Sequence, residues 1–398
     1  MVERQGRWTS FLLVVAAGVS GCGLGREPET RGTLAVVGGK VVQVQESEKA
    51  TVCDENFCEP NYIYTVNFGR TRPQPPAPVP APSPTRTPGP VPPQPYEQLD
   101  YSREILRVPD AWNLSVGSDE IVVAVVDTGV DYTHPDLRNN IWRNLKEASG
   151  RTGVDDDGNG YVDDIYGWDF VNNRPNAFDD NKHGTHCAGI IGAEKNGIGT
   201  VGINQKVKIM PLKFLAANGS GDTRAAIQAI DYAVANGARV ISNSWGGGGF
   251  SSLLNDAIQR AIAKGIFVVA AAGNESNDND SRPTYPAGYA GVISVASSDQ
   301  SDGLSSFSNY GPRSVFIAAP GSSIYSTVPG GSYEQLSGTS MATPQVSGAI
   351  ALALSVNRGA TRGQMLDALC GSARKILTNK AGCGRMDVAE LLRRVSQI

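Results

Sequence analysis

The stretch HGTHCAGIIG, residues 183–192, carries two of the chain's three histidines, three residues apart, with a cysteine directly after the second. Such a cluster could bind a metal or supply a base. Zinc needs three or four ligands, and no other His-rich or Cys-x-x-Cys element supplies the remainder. His183 therefore reads as a proton acceptor, with His186 packed beside it and Cys187 acting as a small buried hydrophobe. Two other polar stretches complete a set. Asp127 ends an apolar run in VVDTGVD, and Ser340 stands at the entry to an apolar helix in LSGTSMATPQVSGAIALALS. A hydroxyl is a weak nucleophile until a base takes its proton, and the base needs a carboxylate to fix its tautomer and stabilise its charged form. Asp127, His183 and Ser340 supply those three types. Gly184 and Gly338 let backbone approach closely, and a helix beginning at Ser340 presents its positive end to an anion.

These residues must be held by a framework. With 398 residues, 40 % of them apolar, the chain can bury a large core in one big domain plus appendages. Residues 121–126, 207–215, 238–244, 265–272 and 291–297 are continuous apolar, β-branched runs and read as strands. Between them TRAAIQAIDYAVANG and SSLLNDAIQRAIAKG carry apolar residues at helical spacing and end in glycine. Strands apolar along their whole length are buried on both faces, which predicts an α/β fold, a mostly parallel sheet between helices. Such sheets place chemistry at the carboxyl ends of their strands.

From about Ala111 to Ser355 the motifs DTGVDYTHPDL, HGTHCAG and GTSMATP, in that order, resemble those of the subtilisin-like serine proteases, the subtilases. The resemblance implies the three-layer subtilisin-like fold and an endopeptidase that cuts peptide bonds through an acyl-enzyme. It makes Asp127, His183 and Ser340 the triad and Asn274, in VVAAAGNES, an oxyanion-hole donor. Gly219-Ser220-Gly221 and Ser244-Trp245-Gly246 match the segments that flank an extended substrate. NSWGGGGF holds no acidic residue, so a broad or apolar preference before the cut is expected. DDDGNGYVDD places Asp155, Asp157, Asn159, Tyr161 and Asp163 at positions one, three, five, seven and nine of an EF-hand-like loop. The twelfth is Tyr166 rather than Glu, leaving Asp164 as a substitute. By resemblance, a second calcium site uses Asp136 and Asn196. Gln345 departs from the family, standing where a histidine is usual.

Residues 1–21 read as a lipoprotein-type export signal, because Arg4 and Arg7 precede an apolar run too short to span a bilayer, which needs roughly 20 residues. Val19-Ser20-Gly21-Cys22 is similar to the box after which Cys22 is acylated, so the expected location is the cell envelope, or outside it after processing. Residues 22–70 form a short propeptide-like segment without a clear helix, in which TLAVVGGKVVQVQ and NYIYTVNF read as one strand each. Residues 71–95 hold 12 of the 24 prolines and form a linker, and the catalytic domain spans 96–398. Export permits disulfides, and proximity in sequence favours Cys53 with Cys58 and Cys370 with Cys383. A net charge of −4 with no basic block speaks against a nucleic-acid partner. The expected partners are protein or peptide substrates, and the catalytic domain is expected to be monomeric. Two other readings are weaker. A silent binding protein has no need of the whole catalytic set, and an aspartic protease needs a second DTG or DSG, which the chain lacks.

Overall fold

The computed structural model describes residues 33–37, 40–44, 51–53, 58–66, 68 and 96–398. The export signal, Cys22 and the proline-rich linker expected above lie outside the described residues. So does the pairing of Cys53 with Cys58 as side chains, although the backbone register sets these two positions opposite each other.

The core is one seven-stranded sheet. Its strands are β1 (Gly117–Asp127), β2 (Trp168–Asp169), β3 (Lys206–Lys213), β4 (Val240–Asn243), β5 (Phe267–Ala271), β6 (Ile293–Ser298) and β7 (Ile317–Pro320). The spatial order is β7-β6-β5-β4-β1-β3-β2, with every neighbouring pair parallel. All five predicted strands are present within a few residues of their expected ends. The two the sequence pattern missed are the edge strands. β2 is too short to show a period, and β7 reads IAAP, whose small residues give little β signal.

Helices cover both faces. On one side lie α1 (His183–Gly192) and α4 (Thr339–Val356), packed with β1, β4, β5 and β6 around Val123, Val125, Ile190, Val269 and Ile350. On the other lie α2 (Thr223–Ala235) and α3 (Ser252–Ala263), over Ala124, Met210, Ile241 and Val268. α2 starts because the Asp222 carboxylate caps the amide of Ala225, and α3 because the Ser251 hydroxyl caps Leu254. The alternation of Ala124 and Val126 with Val123 and Val125 between the two clusters shows β1 buried on both faces, as its sequence predicts.

Near the C-terminus Cys370 and Cys383 form the expected disulfide, and Cys187 is free and buried. The N-terminal piece differs from its reading. TLAVVGGKVVQVQ is two antiparallel strands, Thr33–Val37 and Lys40–Val44, that flank the Gly38-Gly39 pair. Among the described residues no helix is long and apolar enough to cross a membrane.

Candidate active site

Three chain elements deliver the triad positions to the carboxyl ends of the central strands. Asp127 is the last residue of β1, His183 the first of α1, and Ser340 the second of α4. All three are essentially buried. His183 Nδ1 lies 2.8 Å from Asp127 Oδ1. The carboxylate accepts, so Nδ1 carries the proton and Nε2 is the basic nitrogen. Nε2 is buried without a hydrogen-bond partner among the described residues.

The close fit of β1 against α1 depends on Gly184, where a Cβ would lie 2.0 Å from the Gly129 carbonyl and 3.2 Å from Asp127 Cβ. Asp179 ties the same two elements together. Its carboxylate accepts from Thr128 Oγ1 at 2.8 Å and from the amides of Lys182 and Thr185. Sequence reasoning passed over Asp179, although its place four residues before His183 was visible. Lys213, also missed, is buried at the end of β3 and donates to Thr128 O at 2.8 Å and to Asp180 at 2.6 Å.

Pro344 explains the backbone at the serine. Within α4 it has no N–H to give the carbonyl four residues back, which belongs to Ser340. That carbonyl is instead satisfied by Ser244 Oγ at 2.9 Å and Cys187 Sγ at 3.4 Å. Ser340 Oγ donates to the Ser244 carbonyl at 2.9 Å. Asn274 follows β5, and its Oδ1 accepts from Thr339 N at 2.8 Å and Thr339 Oγ1 at 2.9 Å. Asn274 and Ser340 line one cavity of about 450 Å³ with Trp245, Gly246, Glu275 and Arg282. The apolar lining expected from NSWGGGGF is thus joined by an acidic and a basic residue. Glu275 comes from the stretch after β5, which that sequence window did not include.

The histidine pair separates as expected. His186 points away from the triad, its Nε2 3.0 Å from the carbonyls of Ile324 and Glu334, and burial pushes its pKa down to about 3, so it stays neutral. Asp127, His183 and Cys187 come within 4.8 Å of one another. Burial raises the Cys187 thiol well above its usual range, so it stays protonated and donates to Ser340, a poor state for a metal ligand.

Gln345 is buried behind the site. Its Oε1 accepts from Arg103 Nη1 at 3.0 Å, and its Nε2 donates to Ser102 Oγ at 3.0 Å. The amide meets both needs at once, one acceptor for the guanidinium and one donor for the hydroxyl.

The two expected substrate-flanking segments already hold a strand, and it comes from the chain itself. Ile63–Thr65 pairs antiparallel with Ser220–Asp222, with Tyr64 opposite Gly221 and Thr65 opposite Ser220. On the other side Thr65 exchanges both backbone hydrogen bonds with Gly246, at 3.1 and 3.2 Å. Val66 N donates to Gly219 O at 3.1 Å. Tyr64 is fully buried against Trp245, ring centroids 5.1 Å apart. The Phe68 ring meets His183 edge to face at 5.4 Å. The segment therefore runs through the groove and past the triad.

Residues 118–387 match the family model described as the subtilase family. The chain belongs to that family. It is accordingly a serine-type endopeptidase, a hydrolase acting on protein or peptide substrates. The chain is 42 % identical to thermitase of Thermoactinomyces vulgaris over 267 residues, 67 % of this chain and 86 % of that protein. It is 36 % identical to subtilisin-like protease 1 of Plasmodium vivax over 314 residues, 73 % of this chain but only 50 % of the relative. With subtilisin-like protease 2 of Plasmodium falciparum the identity is 38 % over 300 residues, 21 % of the relative. This subtilase thus spans half or less of those two relatives.

Of the loop residues expected to bind calcium, Asp155 and Asp157 come together with Glu147, their carboxylate oxygens within 4.8 Å of one another. Glu147 was not foreseen, because it lies upstream of the motif, in the helix Leu145–Ser149. Asn159 Oδ1 accepts from the Tyr161 amide, and Asp163 from Gly153 N. Asp164, expected to substitute for the missing Glu, faces inward instead and accepts from Asn144, Asn159 and the Tyr232 hydroxyl. At the second candidate Asp136 is fully buried. Its Oδ2 accepts from Thr200 N, while Oδ1 has no hydrogen-bond partner of good geometry among the described residues. Asn196 stands in the adjoining loop, its Nδ2 3.4 Å from the Pro135 carbonyl.

Proposed function

We propose that this subtilase is an exported endopeptidase made as a self-blocked precursor. The observation that carries the catalytic half is the buried Asp127–His183 pair, whose Nε2 has no hydrogen-bond partner among the described residues. In the reaction the Ser340 hydroxyl turns from the Ser244 carbonyl to Nε2, which takes its proton as Oγ attacks the substrate carbonyl. Thr339 holds Asn274 by its oxygen, which fixes the orientation of the amide whose N–H groups donate to the developing oxyanion. His183 then returns the proton to the leaving amine, and water repeats the sequence on the acyl-enzyme. The mixed lining of the cavity beside Ser340 supports broad acceptance of side chains before the cut. The fluorophosphonate label and its Ser340→Ala control, set out in the Discussion, test this half.

The groove-bound strand carries the other half. The residue after the cut sits beside the base that protonates its amine, so the Phe68–His183 contact marks the bond on the N-terminal side of Phe68 as the one presented. Residues 22–70 would then inhibit until cut, with 71–95 as the tether, 96–398 as the enzyme, and Cys22 as the lipid attachment. Thr65→Pro removes an N–H that bonds Gly246 and places a ring in the ladder. Freshly purified full chain carrying it is expected to hydrolyse casein about fivefold faster at early times, since the one backbone hydrogen bond lost contributes ~1 kcal/mol. An unchanged initial rate would rule out self-blocking.

Calcium fits two places by their donor chemistry. Glu147, Asp155 and Asp157 offer hard oxygen ligands, and Asp136 offers a buried carboxylate oxygen without a hydrogen-bond partner of good geometry among the described residues. Bound there, calcium would cross-link surface loops and take no part in the chemical steps. Chelation is expected to lower the melting temperature by about 5 °C or more, reversed by added calcium. A melting curve indifferent to chelator would dismiss both sites.

A further inference from the structure

The groove described above holds the chain's own segment well upstream of the residues nearest the triad. Counting back from the bond before Phe68, Tyr64 is the fourth residue and Tyr62 the sixth. Tyr62 is held as a strand residue is held. Its N donates to Thr223 Oγ1 at 3.0 Å, and its carbonyl accepts from Thr223 N at 3.1 Å. Thr223 is the first residue of α2 and is fully buried.

The ring of Tyr62 lies over the glycine loop. A Cβ at Gly249 would come within 2.7 Å of its Cε1 and 2.8 Å of its Cζ, and one at Gly248 within 3.0 Å of its Cβ. Gly248 also has φ +66°, which favours glycine. The run of glycines after Trp245 is thus a shallow seat whose floor is bare backbone, shaped to take a flat ring two residues upstream of the buried Tyr64.

We infer that Gly248, Gly249 and Thr223 form an additional substrate subsite, which selects extended peptides bearing an aromatic side chain at the sixth residue before the cut. This rests on the protease reading for the numbering, but its binding energy does not depend on turnover. A flat ring fits because it can stack on peptide planes with no side chain between, and the two bonds from Thr223 fix the peptide's height over the seat.

The test uses the full chain carrying Tyr62→Ala and Tyr64→Ala, which loosen the tethered segment, and Ser340→Ala, which prevents cutting. Two fluorescent peptides of the sequence of residues 60–70 are titrated by anisotropy, one native and one with alanine in place of the tyrosine at 62. The native peptide is expected to bind about tenfold tighter, a ratio equivalent to ~1.4 kcal/mol. Adding Gly249→Val to the chain should collapse that ratio to near one while leaving the alanine peptide's affinity unchanged, which also shows the groove intact. Equal affinities in the first chain, or a ratio that survives Gly249→Val, would overturn the subsite. Because these are binding measurements, they separate its failure from failure of the protease reading, which the fluorophosphonate label decides.

Discussion

Replacing Ser340 with alanine should abolish both peptide hydrolysis and covalent labelling by an organofluorophosphonate, with kcat falling about 10⁶-fold, the scale set by removing the nucleophile from a triad of this type. The expectation follows from how little else at the site could attack. Cys187 is the nearest alternative, yet burial keeps its thiol protonated and its Sγ is directed to the Ser340 carbonyl. The stability cost should be small. Ser340 Oγ makes one hydrogen bond, to Ser244 O, and the helix position is kept because the backbone arrangement is set by Pro344 and Ser244 Oγ. Circular dichroism should therefore be unchanged, with at most ~1.5 kcal/mol of stability lost. Full chain unblocked by Thr65→Pro that folds yet neither hydrolyses casein nor takes the label would support the binding-protein reading instead. A Ser340→Ala chain that still does both would move the nucleophile elsewhere.

Replacing Asn274 with alanine should lower kcat about 10²–10³-fold with KM little changed, the effect of losing one oxyanion donor. The split is the informative part. A donor that meets charge only as the carbonyl becomes tetrahedral contributes to the transition state and not to the bound substrate. Asn274 is suited to that role because both hydrogen bonds from Thr339 fall on Oδ1, so the amide group is oriented before substrate arrives. A structural role alone would predict something different. Losing the contact to Thr339 at the start of α4 would disturb the groove and raise KM along with any fall in kcat. Equal kcat for the variant and the wild type would remove Asn274 from the mechanism.

The sequence alone settled the parts of this protein whose signal is local. A buried parallel strand is apolar along its whole length, so β1, β3, β4, β5 and β6 could be read directly. Their helices declared themselves by period and cap. The triad was legible because each member sits in a short motif at an element's end, where glycine, proline and polar residues interrupt an apolar run. Edge strands were not legible, since Trp168–Asp169 is too short to carry a period. Nor was Glu147, because a ligand brought in from another element leaves no trace in the spacing of the loop it joins. The same holds for Asp179 and Lys213, ordinary charged residues until burial forces each of them to find partners.

The tertiary structure alone decided what fills the groove. NYIYTVNF reads as a strand, but a strand's sequence does not name its partners, because backbone hydrogen bonds are the same for every residue. Only the folded chain pairs Thr65 with both Ser220 and Gly246, buries Tyr64 on Trp245 and lays Tyr62 over Gly249. Chemistry that depends on residue type at fixed spacing is written in the sequence. Pairing across some 150 residues depends on where the intervening chain goes, which is the physical reason that only the folded chain could reveal it.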